Sequence, residues 1–82
     1  MVETTEIKNA ILNAFEEAEI MIQNPMNDGL HFEAVVISPS FEGLSLVEQH
    51  QMVMGSLKGL FDSSLHALSL KTYTPQDWEK KQ

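Results

Sequence analysis

Three imidazoles, those of His31, His50 and His66, have the most obvious capacity for chemistry in this chain. A neutral imidazole nitrogen binds iron, zinc or copper, and the same ring gains or loses a proton near neutral pH. Each also has a plain structural role open to it. His31 opens an apolar run directly after the turn-rich Asn24-Pro25-Met26-Asn27-Asp28-Gly29, and His66 follows Asp62-Ser63-Ser64. Both positions suit a ring facing outward from a strand end, and equally a half-buried ring bonded to a backbone carbonyl. His50 falls within the stripe Leu46, His50, Val53, Leu57, Leu60, and is expected to be a core or boundary histidine with its polar atoms satisfied.

No catalytic arrangement accompanies these rings. Ser45, Ser63 and Ser64 lack the strand–turn–helix setting of a nucleophile elbow. Glu16 and Glu17 are adjacent, so on a helix they point about 100° apart and form a solvated face. Phe41-Glu42-Gly43-Leu44 has one glycine and a carboxylate, the wrong chemistry for cradling a phosphate. The five methionines have no spacing beyond that of core filling. The chain is expected to bind a partner and not to be an enzyme.

Composition narrows the partner. There is no cysteine, which removes disulfides, thiolate catalysis and all-cysteine metal sites and suits a reducing cytosol. Twelve acidic residues against five lysines and no arginine leave a net charge of −7. Nucleic-acid affinity comes largely from neutralised phosphates, so DNA or RNA is disfavoured. No apolar run is long enough to cross a bilayer, and the acidic start Met1-Val2-Glu3-Thr4-Thr5-Glu6 resembles neither a secretory signal nor a transit peptide. A cytoplasmic location is expected.

The elements that must position the histidines are legible in the pattern. Ile7, Ala10, Ile11, Ala14, Phe15 and Ala18 form one helical stripe, predicting a helix over residues 5–17. Residues 19–23 switch to period two, and 30–38 carry the β-branched run Val35-Val36-Ile37, predicting an antiparallel hairpin around the Asn24–Gly29 turn. Ser45 and Glu48 form a capping box that starts a helix running to Leu60. Residues 65–73 read as a third strand, with His66, Leu68, Leu70 and Thr72 on one face. Thr74-Pro75 starts a last helix, which Tyr73 and Trp78 are placed to staple. The expected fold is a single α+β domain over residues 1–82, order α-β-β-α-β-α, a three-stranded sheet with helices packed on one face.

Three stretches carry a resemblance. Residues 41–51, Phe41-Glu42-Gly43-Leu44-Ser45-Leu46-Val47-Glu48-Gln49-His50-Gln51, resemble the F-x-G-x-S-x-V-x-x-H segment of the BolA-like family. Residues 66–78, from His66-Ala67-Leu68 to Thr74-Pro75-Gln76-Asp77-Trp78, are similar to its I-H-A-L-x-L-x-x-x-T-P-x-E-W ending. His31-Phe32 with the strand that follows resembles its H-F-x-V-x-V-x-S stretch.

The resemblance implies a fold related to class II KH domains, without their G-x-x-G nucleic-acid loop. It also implies pairing with a monothiol glutaredoxin around a shared [2Fe–2S] cluster, which the glutaredoxin holds through a cysteine and bound glutathione. By the same resemblance His66 is the cofactor- and metal-binding histidine. His31 is the best second candidate, because the loop before it has neither histidine nor cysteine. Such a cluster needs four ligands, so the isolated chain is expected to be colourless. Relatives that regulate transcription carry basic residues where this chain has Gln49 and Gln51. The segment Lys71–Gln82, with Tyr73, Trp78 and three lysines, either docks the glutaredoxin or staples the last helix.

Overall fold

β-Branched and alternating residues put the sheet where it is expected. The computed structural model describes residues 3–15, 17–27, 31–63 and 67–81, apart from the side chains of 61–63. The elements run α1 (Thr4–Ala14), β1 (Glu19–Gln23), β2 (His31–Ile37), α2 (Leu46–Ser56), α3 (Lys58–Ser63), β3 (Ala67–Tyr73) and α4 (Pro75–Lys81). The sheet order is β1-β2-β3. β1 and β2 form the expected antiparallel hairpin, from Glu19 opposite Ile37 to Gln23 opposite Glu33. β3 joins β2 in parallel, from His31 opposite Ala67 to Ile37 opposite Tyr73.

Strand alternation sorts the sheet into two faces. Ile20, Ile22, Phe32, Val36, Leu68 and Leu70 all pack into or against the core, whereas Met21, Glu33, Ser69 and Lys71 are exposed. The core facing the first set comprises Ile7 and Ile11 of α1, Val53 of α2, and Phe15, Phe41 and Leu57 from the connections. Phe15 and Phe41 meet edge-on, with ring centroids 5.4 Å apart. α4 stands at the end of β3. The Thr74 hydroxyl accepts from the Asp77 N–H at 3.1 Å, and Tyr73 lies 5.2 Å from Trp78, as a hydrophobic staple requires.

The helices depart from expectation in two places. α1 stops at Ala14, and Phe15 takes φ −134°, ψ 83°, which carries its ring into the core. The helix expected from Ser45 to Leu60 breaks at Leu57, which is fully buried and whose N–H bonds back to Met54 O at 3.1 Å. Gly55 and Gly59 flank the break and give helical continuity little support. The Ser56 hydroxyl also donates to the Val53 carbonyl, at 2.6 Å.

An unanticipated 3-10 turn, Pro39–Phe41, follows β2. It is started by Ser38, whose hydroxyl accepts from the Ser40 N–H at 3.1 Å, and it inserts Phe41 fully into the core. The buried Gln49 ties this turn down. Its amide donates to the carbonyls of Leu44 at 3.1 Å and Phe41 at 3.4 Å, and accepts from the Thr72 hydroxyl at 2.8 Å. Gln49 thus joins the turn, α2 and β3 from inside and is no surface substitute for a basic residue.

Two consequences for stability follow from α2. The capping box is formed, with Glu48 Oε1 3.0 Å from the Ser45 N–H and Ser45 Oγ 3.2 Å from the Glu48 N–H. The bond from the Ser45 backbone, then that with its hydroxyl, lowers the Glu48 carboxyl below its ordinary value. A lowered folded-state value means that the box's contribution is present above the ordinary carboxylate range and fades as pH falls through it. Urea titrations at pH 7 and pH 3 should therefore show Ser45→Ala costing more at pH 7, where the cap contributes about 1 kcal/mol. Gly55 sits in α2 without a positive φ, and a Cβ there would meet nothing within 4 Å. Gly55→Ala should raise stability by about 0.5–1 kcal/mol, read as a higher urea midpoint with unchanged slope.

Candidate functional site

The parallel pairing of β2 and β3 places their first residues side by side, and the antiparallel hairpin brings the β1–β2 turn to the same end of the sheet. In that turn the Asn27 N–H donates to Asn24 O at 3.0 Å, and Asn27 adopts φ +50°, which asparagine tolerates. Pro25 and the exposed Met26 form its tip. Between the turn and the strand starts lies a cleft of ≈ 360 Å³. Pro25 and Met26 line one side; His31 and Glu33 of β2, with Ala67 and Ser69 of β3, line the other. Phe32 and Leu68 also line it.

His31 is exposed at the start of β2 and opens onto this cleft. Ala67, its register partner, is bonded in sequence to His66, which lies outside the described residues together with Ser64 and Leu65. The structure therefore brings His31 to the residue that follows His66. It does not bring His50 there. Neighbouring Gln49 bonds to Thr72, five residues along β3 from Ala67, which at about 3.3 Å per residue is the opposite end of the strand.

His50 is at the boundary, as expected, but one of its polar atoms is not satisfied. It is half-buried, and its Nε2 is shut off from water with no hydrogen-bond partner among the described residues. The ring lies on the helix flank between Leu46 and Met54, positions four before and four after it, and neither offers a polar side-chain atom able to pair it strongly. Among the described residues no group of three or more His, Cys, Asp or Glu side chains could hold a metal ion. His31 therefore makes no such group with its described neighbours.

At the other end of the sheet, Trp78 is half-buried against Tyr73, and the Lys81 ammonium lies 5.6 Å from the Tyr73 ring centroid. Both side chains have partners within the chain. No helix among the described residues is long and apolar enough to cross a membrane.

An α-β-β-α-α-β-α chain with one hairpin and one parallel strand defines a small α+β domain, and its sequence matches the model of the BolA-like protein family over residues 4–77. The chain belongs to the BolA-like family. It is similar to the acid stress protein IbaG of Escherichia coli K12, 34% identical over 79 residues that make up 95% of this chain and 90% of that protein. It is 32% identical to the DNA-binding transcriptional regulator BolA of Vibrio cholerae over 92% of this chain and 70% of that one. A BolA protein homologue from Coxiella burnetii has a solved structure with TM-score 0.83 and 42% identity, covering 96% of this chain and 99% of its own.

Proposed function

We propose that this protein is an accessory iron–sulfur protein that supplies imidazole ligands to a [2Fe–2S] cluster shared with a monothiol glutaredoxin, in cluster trafficking or iron sensing. The observation that carries this is the pairing of His31 with Ala67, which sets an exposed imidazole beside the backbone leading to His66, over an accessible cleft. Such a donor set suits a shared cluster. A chain with no thiol that offers His31 and, by the resemblance, His66 could complete one iron, and the other two ligands would be thiolates from a partner. When bound, such a cluster supplies one-electron redox chemistry at a potential raised by its histidine ligation. His31 and His66 would hold it; Met26 and Pro25 would wall it from solvent on the side of the turn.

The test is to co-purify the chain with a monothiol glutaredoxin and glutathione under anaerobic conditions with iron and sulfide. Visible absorption and circular dichroism distinct from those of the glutaredoxin alone are expected. Spectra equal to the sum of the separate proteins would exclude a shared cluster.

Transcriptional regulation is the second reading, favoured by the similarity to the Vibrio cholerae regulator. Against it stand the net charge of −7 and the absence of arginine. Specific protein–DNA complexes reach about 10⁻⁸ M or tighter. A sequence-specific complex of that affinity without the glutaredoxin would put regulation first.

A further inference from the structure

The described methionines, expected to fill gaps in the core, all stand on the surface. Met26 is 65% exposed, against 43% for Met21, 40% for Met52 and 37% for Met54. Met26 differs from the other three in place as well as in exposure. Met21 belongs to β1, and Met52 and Met54 to α2, all within regular backbone. Met26 is the third residue of the turn that the Asn27 N–H closes on Asn24 O at 3.0 Å. From there it lines the cleft across from His31 and Glu33. In a chain with no cysteine, a thioether is the first sulfur that a peroxide meets.

We propose that Met26 is a redox modification site, at which a peroxide converts the thioether to the sulfoxide and makes the turn-side wall of the cleft polar. The step is a two-electron oxygen transfer. The sulfur lone pair attacks one oxygen of hydrogen peroxide, the O–O bond breaks and an S–O bond forms. The proton on the transferred oxygen passes to the departing hydroxide, which leaves as water. Sulfur is oxidised and the peroxide is reduced. Methionine sulfoxide reductases reverse the change, so the site can switch in both directions.

The place of the sulfur gives the change its consequence. A flexible apolar side chain becomes a polar one on a wall that otherwise consists of Pro25. The residues on either side of it supply no free backbone N–H to the new oxygen. Pro25 has none, and that of Asn27 is taken by Asn24 O. A surface that covers the cleft would therefore bury an unpaired acceptor, which disfavours docking. This consequence rests on the reading that the cleft receives a glutaredoxin; the modification itself does not.

Stepwise treatment of the isolated chain with hydrogen peroxide, followed by peptide mapping in the mass spectrometer, tests the site. Met26 should gain one oxygen atom ahead of Met21, Met52 and Met54, with far-UV circular dichroism unchanged. At that stage the NMR signals of the His31 ring and the Ser69 amide should shift, and a sulfoxide reductase should restore them. In Met26→Leu the same treatment should leave both signals in place. After removal of the peroxide, the oxidised chain should bind a monothiol glutaredoxin about tenfold more weakly than the untreated chain, a change worth about 1.4 kcal/mol. The affinity of Met26→Leu should not change on the same treatment. Oxidation of Met21, Met52 or Met54 ahead of Met26 overturns the proposal. So do His31 and Ser69 signals that stay in place in the parent, or that shift equally in Met26→Leu. Equal binding of the oxidised and untreated chains also overturns it and leaves the shared cluster standing. If the untreated chain binds no glutaredoxin, the function proposed above fails, and the mapping and NMR results decide the modification on their own.

Discussion

Phe41→Ala is expected to cost about 3–5 kcal/mol, the range for truncating a large buried aromatic. Phe41 is fully buried on a 3-10 turn that Gln49 of α2 holds through its carbonyl, and its ring meets Phe15 at 5.4 Å. Removing it leaves Phe15 without its edge-on partner and opens a void beneath the loop that Gln49 holds. A domain of this length has about 4–12 kcal/mol in total, so the variant should be near the edge of folding at 25 °C. Urea unfolding followed by far-UV circular dichroism gives the number. A loss under about 1 kcal/mol would show that the core closes over the gap and that the 3-10 turn is not the plug described above.

The second large effect concerns the cluster. In the complex with glutaredoxin, His66→Ala should abolish most of the histidine-dependent visible circular dichroism and speed cluster loss. The acceleration should exceed the roughly 10–100-fold cost of removing a supporting residue outside the ligand shell. His31→Ala should also shift the spectrum, and His50→Ala should leave it unchanged, since α2 carries that ring away from the cleft. Both pairs of outcomes are readable in one anaerobic preparation per variant. If His66→Ala and His31→Ala both retain the parent spectrum, the imidazoles are not ligands, whatever the complex contains. If His50→Ala alone changes it, the donor lies on α2 and the cleft has another use.

What could be read from the residues was whatever is local. Val35-Val36-Ile37, the Ser45–Glu48 box and Thr74-Pro75 each carry their own conformational preference, and strand, cap and helix start follow from neighbours a few positions apart. What could not be read depends on distant partners. Gln49 looks like any polar helix residue until Thr72, 23 positions away, is found bonded to it. The break at Leu57 and the arrest of α1 at Ala14 both happen because a buried side chain, Leu57 or Phe15, is worth more in the core than another turn of helix. That the Nε2 of His50 has no partner among the described residues has no sequence signal, because spacing reports the face a ring shares and not which of its atoms find partners. For the site, His31 was legible from its position after the turn, and its alignment with Ala67 was not, because strand direction depends on the crossover. His66 lies outside the described residues, so its placement rests on the resemblance and on its bond to Ala67.

That crossover also sets the order in which the molecule assembles. The β1–β2 hairpin closes between Gln23 and Glu33, 10 positions apart (33 − 23), whereas His31 and Ala67 are 36 positions apart (67 − 31). Closing a flexible loop of that length costs about 3 kcal/mol of chain entropy, against about 2 kcal/mol for the hairpin. The hairpin can therefore form early and β3 must arrive late, with α1 and α2 already gathered on the sheet. The cleft is then expected to form last on folding, with its β3 wall opening before the rest of the sheet. Amide protons of Leu68 and Ser69 should exchange through openings smaller than global unfolding, while those at the centre of β2 wait for the whole molecule. A cluster held by both His31 and His66, as proposed above, would tie the two strand starts together and slow the exchange.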